Sequence, residues 1–400
     1  MAIIGGGASG LALAAFLGGC TAEKCRKLDI CVIEGGARLG KKLSSTGNGQ
    51  GNVGNTSVCP HNYHSVGDKI CASDMAYGII ARSQNIHELL FEGVFSADDK
   101  GRIYPAGRQA SALTDCLIAK LAREGVATIV GVKVASVKKD GLFRLTLSDG
   151  RKISAGYVAM CVGGKAQKQF GTDGSSYVLA EAFGHKITPL YPSLVQLKTD
   201  TVHIKTLRGI RADCRLTAVV GGRERTSARG DVIFTEYGIS GNAVFSISPA
   251  FAGQTGEVII EFAPDISFEI LKSDIERKQR LGYAESELLT LTLNNQIGRA
   301  IIRRAVGKSP EEIAAMAKRF TLKVTGTLGF DYAQVTHGGV DCSLVTEELE
   351  SKLCKNLFFA GEVLDIDGDC GGYNLTWAFA SARQVADAIA KREGLCLNDL

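Results

Sequence analysis

The hydrophobic positions change texture twice along the chain. In residues 2–4, 28–33, 157–162 and 357–360 they form short, nearly unbroken apolar runs, as strands buried on both faces do. Residues 9–18, 77–92, 110–124 and 374–390 have helical composition or spacing. Residues 126–137 are rich in β-branched side chains. Residues 143–147 and 152–153 flank the turn Ser148-Asp149-Gly150 and read as a hairpin. Residues 35–55, glycine-rich and polar, read as irregular.

A different texture starts near residue 190. Residues 194–197, 214–220, 231–235, 243–247 and 257–262 are short strand candidates with no crossover helix between them. Residues 268–320 then turn helical, and Ser309-Pro310-Glu311-Glu312 is a strong helix start. The first texture returns after about residue 330. The prediction is an α/β, doubly wound domain built discontinuously from residues 1–190 and 331–400. Residues 191–330 form an inserted domain, β-rich over 191–264 and helical over 265–320.

Turn chemistry gives the first domain a task. Gly5-Gly6-Gly7-Ala8-Ser9-Gly10 sits between an apolar strand and a helix. In that setting Gly5 makes the turn, Gly7 lets backbone approach a pyrophosphate and Gly10 allows close helix–strand packing. Glu34 ends the second strand, where a carboxylate can accept from ribose hydroxyls. Strand ends at Gly163-Gly164 and at Gly361-Glu362, with Gly371-Gly372 opening the last helix, suit a ligand as long as FAD. The N-terminus of that helix would face the flavin and favour negative charge there.

Composition narrows the class without changing it. A hydrophobic share of 45% and a charged share of 22% fit a globular enzyme. The net charge of +4 gives no reason to expect a nucleic-acid partner. The apolar N-terminus lacks a basic leader and is broken by glycines. No run of about 20 apolar residues occurs elsewhere, so a cytoplasmic protein with no membrane segment is expected. The 12 cysteines are scattered without a C-x-x-C and read as packed thiols of a reducing compartment. Cys20 and Cys25 have the spacing of a redox pair, but they precede the second strand, at the wrong end of the cofactor. Cys370 lies in the flavin-facing loop and reads as a packing residue. No histidine spacing suggests a metal site, and no second dinucleotide motif occurs mid-chain.

Seven stretches in order carry a resemblance over the whole length: 5–10 (GGGASG), 40–52 (GKKLSSTGNGQGN), 101–110 (GRIYPAGRQA), 184–197, 234–244 (FTEYGISGNAV), 335–340 (VTHGGV) and 360–381. The chain resembles the bacterial FAD-binding flavoproteins that include aminoacetone oxidase and BaiN, a 3-dehydro-bile acid reductase. The resemblance implies an FAD-binding domain carrying a β-rich insert. It implies FAD contacts from Gly5, Gly7, Ala8, Ser9, Gly10, Glu34, Lys42, Thr46, Gly47, Asn48, Gly49, Val134, Gly163, Gly361, Glu362, Asp367, Gly372, Asn374 and Leu375. Lys42 and residues 46–49 would lie along the pyrophosphate and flavin, Glu362 and Asp367 by the ribityl–phosphate, and Asn374 and Leu375 at the ring edge. Gln50 and Gly51 stand where the family has Arg-Cys, and Glu236 departs from its pattern too.

The expected activity is reduction of a carbonyl-conjugated C=C bond in a small substrate such as a 3-oxo bile acid. The competing readings are a flavin amine oxidase using oxygen and a non-catalytic flavin-bound protein contacting RNA or a protein. NAD(P)H docked transiently, oxygen or another protein would exchange the electrons. Tyr104, His337 and Tyr373 are the candidate proton donors. His337 reads more readily as a structural turn residue than as a donor. Substrate is expected between the insert and the flavin, with loops 46–52, 101–105, 336–339 and 369–374 converging there. Oligomeric state is left open.

Overall fold

The computed structural model describes residues 1–19, 28–305 and 307–396, so Cys20 and Cys25 lie outside the described residues. Two compact units emerge, Met1–Leu190 with Val335–Leu400, and Tyr191–Gln334.

The first unit is organised by a five-stranded parallel sheet. Its strands are Leu357–Phe359, Val158–Met160, Ala2–Ile4, Cys31–Glu34 and Ala127–Val130, in that spatial order. In chain order this is 5-4-1-2-3, the doubly wound arrangement, with its switch point between Ala2–Ile4 and Val158–Met160. The strands Ala2–Ile4, Val158–Met160 and Leu357–Phe359 are buried throughout, as their unbroken apolar runs require. The helices Ala8–Gly18 and Tyr373–Glu393 pack on each other beside the sheet. Side chains from both, including Leu11, Leu13, Trp377, Phe379 and Ile389, are buried in one core with the strands. A separate antiparallel sheet, Val134–Asp140, Leu142–Leu147 and Lys152–Ala155, contains the expected hairpin.

The second unit contains a closed six-stranded antiparallel barrel. Its longest hairpin pairs Arg211–Val220 with Arg223–Phe234. Gly221 and Gly222 join them with φ of 61° and 72°. Two successive left-handed residues give the turn whose twist matches the flanking strands. Alternate residues Cys214, Leu216, Ala218 and Val220 are buried. Phe320–Thr327 closes the barrel against Gly256–Glu261 and Leu197–Thr199. Three helices cover the barrel core: Phe268–Arg280, Asn295–Arg304 and Pro310–Lys318. At the last, Ser309 Oγ accepts from Glu312 N at 3.3 Å while Ser309 N donates to Glu312 Oε2 at 2.8 Å.

Some local expectations are corrected. Residues 243–247 are not a strand: Asn242–Ile247 is a helix. Gly241 carries a φ of 111°, and a Cβ there would run into the Asp231 carbonyl. That close approach lets the chain leave its strand and coil, which a short apolar run does not reveal. The irregular stretch 35–55 holds a helical segment, Leu43–Gly49, and a strand, Gly54–Asn55. Residues 77–92 divide into Lys69–Arg82 and Ile86–Leu90 at the left-handed Asn85. No helix among the described residues is long and apolar enough to cross a membrane.

Candidate functional site

The glycine turn at the switch point has three different surroundings. At Gly5, with φ of 105°, a Cβ would run into the Cys161 carbonyl of the neighbouring strand. At Gly10 it would run into the carbonyl of Gly5. At Gly7 it would meet nothing within 4 Å. The outer glycines therefore serve packing, and Gly7 leaves an open side to which an extended ligand can come close to backbone. The helix that follows, starting at Ala8, has no side-chain cap and no acidic residue in its first turn. Its unpaired N–H groups and dipole suit a diphosphate. The three helices that cover the barrel core are capped by side chains, those of Ser267, Asn294 and Ser309, whereas the short helix Asn242–Ile247 is not. Ser9 itself turns inward and is buried against Gly361.

Glu34 lies directly beside this turn. Its Oε2 accepts from Gly6 N at 2.7 Å and its Oε1 from Gly36 N at 2.6 Å. A carboxylate has about four lone-pair sites, so capacity for a pair of hydroxyls is left. The loop ahead of Val134 docks here, with Gly131 N donating to Gly36 O and Val132 N to Glu34 O. These observations fit the adenosine half of FAD, which Gly7, the start of the first helix and Glu34 would hold.

A second group knits three further loops. Lys42 Nζ lies 2.9 Å from Glu362 Oε2. Glu362 Oε1 accepts from Thr336 N at 2.9 Å. Thr336 Oγ1 accepts in turn from Lys165 N at 2.7 Å and Ala166 N at 3.0 Å. Gly164 is a glycine because a Cβ there would strike this hydroxyl, and Gly163 turns the chain with φ of 68°. Gly361 donates to Ser381 Oγ at 2.9 Å and accepts from Trp377 Nε1 at 3.2 Å, fixing the last strand to the last helix.

Residues 365–369 read Asp-Ile-Asp-Gly-Asp, and each carboxylate holds a different segment. Buried Asp365 accepts from Ser65 Oγ, Val66 N and Gly67 N. Buried Asp367 lies 2.6 Å from His337 Nδ1. Asp369 meets His64 Nε2 at 2.8 Å and Asn62 Nδ2 at 3.0 Å. The carboxylate of Asp367 is thus turned to a histidine inside the protein. Asn374 is likewise turned inward: its amide clasps Gly368, accepting from N at 2.8 Å and donating to O at 2.7 Å.

The last helix opens at Gly372, φ 102°, where a Cβ would run into the Gly54 carbonyl. Like the first, it has no side-chain cap and no acidic residue in its first turn. With the Asn52 amide oriented to match its neighbours, its oxygen accepts from Gly372 N at 3.1 Å and its nitrogen donates to Gly54 O at 2.9 Å and Ile103 O at 3.1 Å. Asn55 Nδ2 donates to Gly371 O at 3.0 Å. Loops 46–55, 101–105 and 369–374 are thus bound together. Between Thr46 and Gly49 the backbone breaks from helix, with Gly47 and Asn48 both left-handed, and a Cβ at Gly49 would meet nothing within 4 Å. The open side at Gly49 and the bare helix start at Tyr373, Asn374 and Leu375 fit the flavin half of the cofactor.

Of the proton-donor candidates, His337 is buried and paired, and Tyr373 Oη donates to Ser57 O at 3.0 Å. Tyr104 is buried beneath Arg108, whose guanidinium carbon lies 4.2 Å from the ring centroid. Burial pushes the Cys161 thiol up to about 12, against a hydrogen bond with Ser9, and also raises Cys370, so neither is an activated nucleophile. Among the described residues no cluster of metal-ligating side chains occurs. Asn52, Thr336 and Asp365 were not singled out from the sequence. The alternating aspartates of 365–369 were the visible signal for the last.

A 3-dehydro-bile acid delta(4,6)-reductase from Clostridium scindens is 32% identical, the match covering 98% of both chains. A ribosomal RNA dihydrouridine synthase from Escherichia coli is 28% identical, also over 98% of both. Among solved structures, a 3-ketosteroid-delta4-(5alpha)-dehydrogenase from Rhodococcus jostii matches with a TM-score of 0.49 and 15% identity, covering 97% of this chain and 96% of that one. The family model described as the HI0933-like protein Rossmann domain matches residues 1–388. With its doubly wound sheet and glycine turn at the switch point, the chain belongs to the HI0933-like Rossmann family.

Proposed function

We propose that this FAD-dependent oxidoreductase reduces a C=C bond conjugated to a carbonyl in a small organic molecule of the 3-oxo bile acid kind. The observation that carries the reading is the 32% identity, end to end, with a reductase of that substrate class. Reduced FAD supplies a hydride for the β-carbon when bound. NAD(P)H, docked transiently, is the proposed electron source. The protein must then deliver a proton to the α-carbon and exclude water.

His337 is our leading proton donor. A ring held through Nδ1 by a buried carboxylate has a fixed tautomer and orientation, which proton transfer in the transition state needs. Tyr104 serves as a platform for Arg108 rather than as an acid. Tyr373 is tied to Ser57 and serves to hold the loop. A cytoplasmic setting belongs to the proposal, and the nine described cysteines are free thiols.

A second reading follows from the dihydrouridine synthase relative. The C5=C6 bond of uracil is also conjugated to a carbonyl, so a nucleobase is the same kind of hydride acceptor. The weak net charge of +4 favours the small molecule. One experiment separates the readings. The flavin is reduced anaerobically and mixed with a 3-oxo-Δ4 sterol acid, with a uridine-containing ribosomal RNA fragment, or with buffer. Rapid reoxidation by the sterol supports the proposal, and reoxidation by RNA alone supports the second reading. Peroxide release driven by aminoacetone in air, with neither acceptor active, would replace both by an amine oxidase.

A further inference from the structure

Arg108 occupies a position that packing alone does not explain. Its backbone is left-handed, with φ of 48°, an uncommon state for a residue with a side chain. The turn is closed by Arg108 N donating to Pro105 O at 2.8 Å. Its guanidinium lies 4.2 Å from the centroid of the buried Tyr104 ring. Nη1 donates to Gln50 Oε1 at 3.3 Å. Among the described residues that neutral amide is its recorded polar partner, and the side chain is exposed.

The geometry is that of a guanidinium held by its face and one corner. Stacking on an aromatic ring uses the face of the plane and leaves the in-plane N–H donors available. A planar fork with free donors matches a carboxylate bidentately. Gln50 comes from the loop that carries Gly47, Asn48 and Gly49, and Tyr104 from the strand Arg102–Pro105 that pairs with Gly54–Asn55. Arg108 is therefore fixed to the two loops that lead to the glycine-opened start of the last helix. Gln50 itself stands where the family resemblance expects arginine. The cation beside this loop is supplied from the next loop, and Gln50 orients it.

We propose that Arg108, braced by Tyr104 and Gln50, anchors a carboxylate of the substrate at a distance from the bond being reduced. The inference rests on the reductase reading and narrows it to anionic enones. Substrate preference is then set by a residue that takes no part in proton transfer. Arg108→Gln removes the charge without altering the demand for a left-handed side-chain-bearing residue, and flavin content and melting temperature report that the fold is retained.

The test compares a 3-oxo-Δ4 sterol acid with its methyl ester in wild type, Arg108→Gln and Arg108→Lys. Dissociation constants come from perturbation of the flavin spectrum in the oxidised holoenzyme, and KM and kcat from turnover. Wild type should prefer acid over ester by about 10- to 100-fold, the scale of a charge-assisted pair. Arg108→Gln should bring the ratio close to one through KM rather than kcat, and Arg108→Lys should fall between. No acid preference in wild type, or an unchanged ratio in Arg108→Gln, overturns the Arg108 assignment and leaves the reductase reading standing. Failure of both sterols to reoxidise reduced flavin overturns the reductase reading and this inference with it.

Discussion

His337 Nδ1 lies 2.6 Å from Asp367 Oδ1, and both side chains are buried. Proton delivery by a positioned side chain typically contributes 10²- to 10⁴-fold. His337→Gln should therefore slow reoxidation of reduced flavin by the enone by about 100-fold or more. Reduction of the flavin by NAD(P)H should keep its rate. Asp367→Asn, which leaves the ring in place but removes the charge, should show a smaller loss in the same half-reaction. Stopped-flow absorbance follows each half-reaction separately. Equal reoxidation rates in His337→Gln and wild type would remove the histidine from the chemistry.

Gly7 and Gly10 should fail in different ways. A methyl at Gly10 would collide with the Gly5 carbonyl, whereas one at Gly7 has no neighbour within 4 Å. Gly10→Ala should lower the stability of the apoprotein by roughly 1–3 kcal/mol, the usual cost of overpacking. Gly7→Ala should leave the apoprotein melting temperature within a degree or two but weaken FAD binding. Melting curves of apoprotein and FAD titrations decide this. Loss of apoprotein stability in Gly7→Ala would show that the open side is a packing surface.

Glu34 holds Gly6 and Gly36 through one oxygen each and still has lone pairs to offer. Glu34→Ala should weaken FAD binding by about 10- to 100-fold, the worth of hydrogen bonds to a charged group. Glu34→Gln keeps an acceptor oxygen and should recover part of that loss. Quenching of FAD fluorescence on titration into apoprotein gives the constants. Unchanged affinity in the alanine variant would mean that the carboxylate only caps backbone.

Legibility differed by kind of signal. Buried parallel strands and the glycine turn could be read because unbroken apolar runs and G-x-G-x-x-G are local patterns with one physical use. The barrel strands were partly visible as short strand candidates with no crossover helix between them, but residues 243–247 misled because an apolar run of that length fits either a strand or a helix turn. Candidate site residues could be named, whereas what each side chain holds could not. Asp367 and Asn374 face inward to His337 and Gly368, pairings across 30 and 6 residues that no spacing rule announces. Arg108 was hidden for the same reason, because its significance lies in Tyr104 and Gln50 and not in its neighbours along the chain.

The helical part of the second unit carries a pH-dependent element. Asp274 and Lys278 pair at 2.7 Å on the helix Phe268–Arg280, and Lys278 is buried. Burial pushes the Asp274 carboxyl up, but hydrogen bonds from Arg277, Lys278 and Thr292 outweigh it and hold the group at about 2, below its ordinary 3.8. A carboxyl with a depressed folded-state value stabilises the protein above its unfolded value and loses that contribution as pH falls through the folded one. Asp274→Asn should therefore be less stable than wild type at neutral pH by roughly 1–3 kcal/mol. The lower end reflects solvent screening and the upper end the buried lysine left without its counter-charge. The gap should begin to close below about pH 4 and be mostly gone near pH 2, where about half of the wild-type carboxyl is itself protonated. Urea unfolding of both proteins between pH 7 and pH 3, followed by far-UV circular dichroism, measures the gap. A difference that stays constant over that range would mean that the variant acts through packing and not through the charge on Asp274.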